Sequence, residues 1–262
     1  MIDFHNHVLS DVDDGPKIIE ESMSMLRKAS NQGITDIVQT VHFQHPKMDN
    51  KNVDYNYLNS RIKELQYLID KENLNIKMHL AAEVFYLPNL VDISKNPLVT
   101  CGNGKYMLIE FATNIFPSGY QNEFFKLQNL DINPIVAHPE RYRFIQNDLT
   151  ILEDWINKKY IIQIDAGSLI GQFGPKIKQL VFKMIDNGYV HLLGSDAHND
   201  KKRNFCLKEA YDVLDNKYSK KTVEDLMENS SNILSGEKIK SIDITKNKTS
   251  VLFRKRFKFF AI

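Results

Sequence analysis

The chain has 262 residues, 42% hydrophobic and 26% charged, with a net charge of +1. A chain of this length buries a sizeable core without staples, and its balanced charge removes any global electrostatic case for nucleic acid. No apolar run approaches the roughly 20 residues of a membrane-spanning helix, the N-terminus carries no secretory leader pattern, and Cys101 and Cys206 form no metal-spaced pair, so the expectation is a reduced, cytoplasmic protein.

In chain order, the first strand candidate is MIDF (1–4), which leads into His5, Asn6 and His7. A helix is predicted over 16–32, with Pro16 early and Gly33 just past its end. Asp13 in the preceding DVDDG is placed as its N-terminal cap, whereas Asp14 can instead reach into the site as a ligand. DIVQTV (36–41) is the second strand and ends at His42; His45, three residues on, can line the same site. A longer helix over 51–72 repeats Tyr57, Leu58, Ile62, Leu65 and Leu68 at helical spacing. IKMHLAA (76–82) runs into Glu83, and 84–104 reads as an irregular excursion with turn signals. YMLI (106–109) meets Glu110, PIVA (134–137) meets His138, and IIQI (161–164) meets Asp165. VHLLGS (190–195) meets Asp196, with His198 two residues on. Helices are predicted over 119–130, 149–159, 175–187, 203–215 and 219–228; His79 and His191 lie inside strands and read as packed or hydrogen-bonded.

Seven strands separated by helices argue for a parallel sheet with crossover helices, closed or nearly closed into a β/α barrel. One domain is expected over 1–239, with an appendage over 240–262. That appendage ends in the basic, aromatic stretch RKRFKFF (254–260), read as either a frayed tail or a contact with an acidic membrane surface or partner.

Every proposed strand thus ends in a metal ligand or an acid–base group. In a parallel barrel all strand C-termini open on one face, where the chemistry sits. The pooled set holds five histidines (His5, His7, His42, His138, His198) and four carboxylates (Asp14, Glu83, Glu110, Asp196). Imidazoles and carboxylates without cysteine suit Mn, Zn or Fe. The set is too large for one tetrahedral ion; two or three ions sharing a bridging carboxylate would use it, and such clusters activate water and clamp phosphoryl oxygens. In HPERYR (138–143), Arg141 is the candidate phosphate ligand, since a guanidinium binds phosphate in a forked geometry. Arg143 reads instead as a surface arginine paired with Glu140.

The segments HNH (5–7), DVDDGPK (11–17), GITDIVQTVH (33–42), AAE (81–83), HPERY (138–142), DAGSL (165–169) and GSDAH (194–198) resemble the PHP (polymerase and histidinol phosphatase) superfamily. More narrowly they resemble its bacterial manganese-dependent protein-tyrosine phosphatases, which act with the tyrosine kinases of capsular and exopolysaccharide synthesis. The resemblance runs from Met1 to about residue 235. It implies an α/β fold, a distorted (β/α)7 barrel with the metal cluster at the strand C-terminal face, and two or three Mn²⁺ ions, Zn or Fe also being compatible. Carried onto this chain, His5, His7, Glu83 and Asp196 surround one ion. Glu83 bridges to a second held by Glu110 and His138, and Asp14, His42 and His198 hold a third. Arg141 matches the phosphate-binding arginine, and the implied partner is a tyrosine-phosphorylated kinase tail.

Two departures stand out. Val41-His42-Phe43 replaces a common Pro-His-His, and Asp165 stands where Asn is expected, which would make the bowl more negative. Neither cysteine begins a Cys-x5-Arg loop, so a cysteinyl-phosphate route is excluded. Phe43, Phe85, Phe111, Phe116 and Tyr142 are candidates for the wall of a bowl deep enough for phosphotyrosine, with core packing as the alternative for each. Two other functions remain open: another phosphoesterase of the superfamily, of histidinol-phosphate or nuclease type, and an inactive metal-stabilised binding protein.

Overall fold

The computed structural model describes residues 1–48 and 53–247. The chain order is β1 (Ile2–Asn6), α1 (Ile19–Asn31), β2 (Asp36–Phe43), α2 (Tyr55–Lys71), β3 (Lys77–Phe85), α3 (Leu90–Ile93) and β4 (Tyr106–Glu110). It continues with α4 (Tyr120–Asn129), β5 (Asn133–Ala137), α5 (Arg143–Asn147), α6 (Thr150–Asn157), β6 (Ile161–Asp165), α7 (Ala166–Ile170) and α8 (Pro175–Asp186). β7 (Leu192–Gly194), α9 (Leu207–Lys217) and α10 (Lys220–Ser235) complete it. The strands form one parallel seven-stranded sheet in the order β1 to β7. Past β7 the chain returns to β1: Asn6 bridges Ala197, Asp196 N–H donates to His5 O (2.7 Å) and His7 N–H donates to Ala197 O (2.8 Å). The result is a nearly closed barrel with its strand C-termini on one face, as expected.

Two apolar layers follow from this closure. Phe4, Val38, Ala81, Leu108, Ile135, Ile161 and Leu192, one from each strand, fill the barrel interior. A larger layer lies between strands and helices, where α1 buries Met25 and Leu26, α2 buries Leu58, Leu65 and Ile69, and α8 buries Val181, Met184 and Ile185. Because side chains alternate along a strand, positions two beyond an interior residue face the bowl above it. Glu83 follows Ala81 in this way, and Glu110 follows Leu108.

β1 breaks that rule, and the break is productive. Asp3 pairs with Ile37 but Asn6 pairs with Gln39, so β1 advances three residues where β2 advances two. The extra residue is a bulge, which reverses the facing of everything after it. With Phe4 inside, an unbroken strand would turn His5 and His7 away from the bowl; the bulge turns them in.

Element bounds differ from the sequence expectation at several ends. α1 starts at Ile19 rather than 16, behind Ile18, which makes no side-chain cap. Asp13 therefore does not cap it. α9 runs four residues later at its start than expected, and α10 extends to Ser235. The span 84–104 holds the end of β3, α3 and a 3-10 turn over Pro97–Thr100. Residues 240–247 lie against the last two helices: Asn229 binds both backbone groups of Lys240, and Ser219 N–H donates to Thr245 O (2.7 Å). The basic stretch 254–260 lies outside the described residues.

Candidate metal centre

The nine candidate ligands, spread from residue 5 to residue 198, meet in one bowl. Glu83 is its hub. Its Oε2 lies 3.2 Å from His5 Nε2, 3.3 Å from His7 Nε2 and 3.2 Å from His42 Nδ1, and its Oε1 lies 2.8 Å from His138 Nε2. Asp196 Oδ1 faces the same two imidazoles at 3.4 Å (His5) and 3.5 Å (His7). On the outer side Asp14 Oδ1 stands 3.3 Å from His42 Nε2 and 3.2 Å from His198 Nε2. Glu110 Oε1 lies 3.5 Å from His42 Nδ1 and 3.4 Å from His45 Nε2.

Three donor groups result: His5, His7, Glu83 and Asp196; His7, Asp14, His42 and His198; and His42, Glu83 and Glu110. Glu83 belongs to two of them and presents two oxygens, the arrangement of a bridging carboxylate. His138 touches Glu83 but falls outside these three groups.

His138 (φ 33°) and Asp196 (φ 48°) hold left-handed backbone that side-chain-bearing residues seldom adopt. Such strain is kept where the fold needs a side chain re-aimed. At His138 it turns the imidazole off the strand direction and over Glu83.

The bowl fits divalent cations on two observations. His5 Nε2, His7 Nε2, His42 Nδ1, His138 Nδ1 and Glu110 Oε1 are all buried atoms without a hydrogen-bond partner, although buried polar atoms are normally satisfied. The electrostatics ask for positive charge as well. Burial alone would raise Glu83 and Asp196, yet the surrounding imidazoles hold both carboxyls well below the usual range. Burial would lower His7, yet Asp13 and the bridging acids hold it well above its ordinary value. His42, opposed by burial and by His7, is still pushed up to about 10 by Asp14, Glu110 and Glu83. Carboxylates that hold protons on buried imidazoles in this way would exchange them for metal ions, whose binding releases protons.

Several functional neighbours escaped sequence reading. Asp13 accepts from His7 Nδ1 (2.8 Å) and from His42 N–H (3.2 Å) through Oδ2, and from Gly15 N–H (3.0 Å) through Oδ1. Gln163 Oε1 sits 2.9 Å from His5 Nδ1. Such partners fix which imidazole nitrogen faces the ion. Arg203 donates to Asp196 Oδ2 beside Arg141, and both arginines line the cavity above the cluster, a space of about 360 Å³. Nothing in NDKKRN marks Arg203 apart from its lysine neighbours, because only the turn that bonds His198 N–H to Arg203 O (2.7 Å) brings it inward.

Other expectations change. Asp165 Oδ1 accepts from Gly167 N–H (2.7 Å) at the start of α7. Burial, with Asp196 nearby, pushes its carboxyl up, and the Arg141 guanidinium opposes that rise. Glu140 turns inward to accept from Asp165 N–H (2.9 Å) and is no partner for Arg143. Phe85 and Phe111 line the cavity; Tyr142 is core, its hydroxyl donating to Ala137 O and accepting from Phe111 N–H. Phe43 packs on the core and Phe116 is outside the lining. His45 does line the cavity, edge-on to Phe85. Cys101 and Cys206 are free and buried away from it, and burial pushes the Cys101 thiol up to about 12.

Comparison with known proteins agrees with this geometry. Residues 1–235 match the family described as capsular polysaccharide synthesis, CpsB/CapC. CapC of Staphylococcus aureus is 35% identical over 240 residues, covering 91% of this chain and 93% of that protein. The tyrosine-protein phosphatase YwqE of Bacillus subtilis (strain 168) is 32% identical over 240 residues, covering 91% and 93%. A crystal structure from work on YwqE of Bacillus subtilis and CpsB of Streptococcus pneumoniae, described as metal-dependent tyrosine phosphatases, superimposes with a TM-score of 0.87 at 30% identity, over 95% of this chain and 100% of that one. With its barrel, its strand-end bowl and a match over residues 1–235, the chain belongs to the CpsB/CapC family of capsular polysaccharide synthesis, whose members include metal-dependent tyrosine phosphatases.

Proposed function

We propose that this chain is a metal-dependent protein-tyrosine phosphatase that dephosphorylates the tyrosine-phosphorylated tail of a bacterial kinase controlling capsular or exopolysaccharide synthesis. The observation that carries the reading is the joining of the bridged donor bowl to two guanidinium groups in one cavity. Residues 1–239 form the phosphatase domain in this proposal, and 240–262 its basic, aromatic appendage.

His5, His7, Asp14, His42, Glu83, Glu110, His138, Asp196 and His198 are the proposed ligands of two or three ions, Mn²⁺ being the favoured metal and Zn or Fe compatible with the same donors. When bound, such ions supply Lewis-acid stabilisation of phosphoryl oxygens and a nucleophile at neutral pH. Arg141 and Arg203 hold the non-bridging oxygens of the ester and face the charge that grows there. Burial opposes the Arg141 charge, but Asp196, Asp165 and Glu83 keep it raised and firmly protonated. Asp13 and Gln163 keep His7 and His5 aimed into the bowl. The half-buried His45 borders the space a leaving phenolate would cross.

The test is Mn²⁺-dependent phosphate release from a tyrosine-phosphorylated kinase tail, with wild type and Arg141→Ala compared. The variant should lose roughly 10²–10³-fold in kcat while retaining wild-type metal content. Loss of metal from the variant would mean that Arg141 supports the cluster and does not bind the ester. A wild-type protein that is metal-loaded yet inert towards phosphotyrosine would end the proposal.

A further inference from the structure

Ile115 lines the cavity and is 68% exposed, on the loop that follows β4. Phe116 beside it is 49% exposed, and Leu87, on the loop after the neighbouring strand β3, is 40% exposed. Single exposed apolar residues are ordinary. Three on the loops that follow the paired strands β3 and β4, one of them lining the cavity, set an apolar border beside it, and exposed apolar surface gathered in this way marks a contact surface.

The rim is held in place. Arg143 N–H donates to Thr113 O (2.9 Å), and the Tyr86 hydroxyl donates to Ser118 O (2.9 Å), pinning both ends of the 113–118 loop. Phe116 lies edge-on to Phe144 (5.2 Å) and to Tyr120 (5.9 Å) while leaving about half its surface to solvent. A loop so anchored loses little further freedom on binding, which is what preorganisation provides. The charges lie elsewhere around the opening, with Arg141 and Arg203 over Asp196.

We infer that Leu87, Ile115 and Phe116 form the docking rim for the peptide segment flanking the phosphotyrosine, and that this segment carries an apolar residue next to the modified tyrosine. The inference rests on the phosphatase reading above. The substrate is the occupant because Ile115 belongs to both surfaces: it lines the cavity and begins the rim. A tyrosyl stem that leaves the cavity beside Ile115 brings its flanking peptide onto the rim.

The experiment uses Mn²⁺-loaded full-length protein, wild type and the double variant Leu87→Ser/Phe116→Ser, neither residue lining the cavity. A fluorescently labelled peptide that carries phosphonomethylphenylalanine, which a phosphatase cannot hydrolyse, in place of phosphotyrosine and has flanking leucines is bound in anisotropy titrations, alongside the same peptide with flanking aspartates. Turnover of p-nitrophenyl phosphate, which has no flanking peptide to meet Leu87 or Phe116, reports an intact cavity. The double variant should bind the leucine peptide at least tenfold more weakly, with p-nitrophenyl phosphate kcat/KM within twofold of wild type. Wild type should prefer the leucine peptide over the aspartate peptide. Unchanged peptide affinity, or equal loss for peptide and small ester, would overturn the assignment. Loss of self-association in the variant without loss of peptide affinity would overturn it too, by giving the rim to a second copy of the chain. Failure of the phosphatase reading shows separately, as a wild-type protein that hydrolyses neither ester; the binding titration still decides the rim.

Discussion

At His7 two requirements meet in one ring. Nε2 faces Glu83 and Asp196, while Nδ1 lies 2.8 Å from Asp13 Oδ2. One imidazole nitrogen carries one lone pair, so His7 can serve only one ion although two donor groups include it. Asp13 keeps that nitrogen pointed inward and makes it a better donor. Asp13→Asn should therefore weaken Mn²⁺ binding by about 10–100-fold, read by calorimetric titration, with an unchanged far-ultraviolet circular dichroism spectrum. Equal affinity in the variant would reduce Asp13 to a loop anchor. The surroundings are tight enough that two glycines are obligatory by space alone. A Cβ at Gly194 would meet His5 Cβ at 2.5 Å, and one at Gly15 would meet His7 O at 2.1 Å.

At the scale of elements, strand ends and loops divide the labour. Strands place Glu83 and Glu110 by simple alternation, whereas a bulge is needed for His5 and His7, and left-handed backbone for His138 and Asp196. The opposite end of the barrel shows how polar residues outside the bowl are used. His191, just before β7, accepts Ile162 N–H at Nδ1 (3.0 Å) and completes the ladder at the start of β6. Burial pulls its imidazole down to about 4, against about 6.5 in an unfolded chain. As pH falls from about 6.5 towards 4, the unfolded chain takes a proton that the folded chain refuses. The stabilisation is thus complete above pH 6.5 and is lost on acidification, by roughly 3 kcal/mol at the lower limit. Urea unfolding between pH 7 and pH 4.5 should show wild type losing more stability than His191→Gln; parallel losses would refute this account.

For the whole molecule, the bowl joins strands from both edges of the sheet. Asp14, His5 and His7 come from the N-terminal edge and Asp196 and His198 from beyond β7. Ions held there would tie the ends of the open seam together and bind only the folded chain. Mn²⁺ at about 100 times its dissociation constant should add about 2.7 kcal/mol of stability, which for a chain of this size corresponds to roughly 5–10 °C in Tm. Thermal melts of chelator-treated protein with and without added Mn²⁺ measure it, and an unmoved Tm would contradict the cluster.

Much of this was legible in the chain alone. Period and length gave seven strands and their helices, and a ligand-type residue after each strand pointed to one reactive face, because all parallel strands in a barrel end on the same side. The motifs HNH, HPERY and GSDAH gave the family resemblance that the match over residues 1–235 bears out. What escaped was set by contacts between remote segments. Asp13 reads as a helix cap until α1 is seen to begin at Ile19; Arg203 reads as one base in a basic run; Asp165 reads as one more acid of the bowl until its bond from Gly167 N–H at the start of α7 is seen. Local sequence determined which elements form and where their polar ends lie, since propensity and periodicity are local properties. Only the tertiary structure decided which way His5 and His7 face, which nitrogen each presents and which loops border the cavity mouth, since those depend on register, burial and neighbours supplied by the rest of the chain.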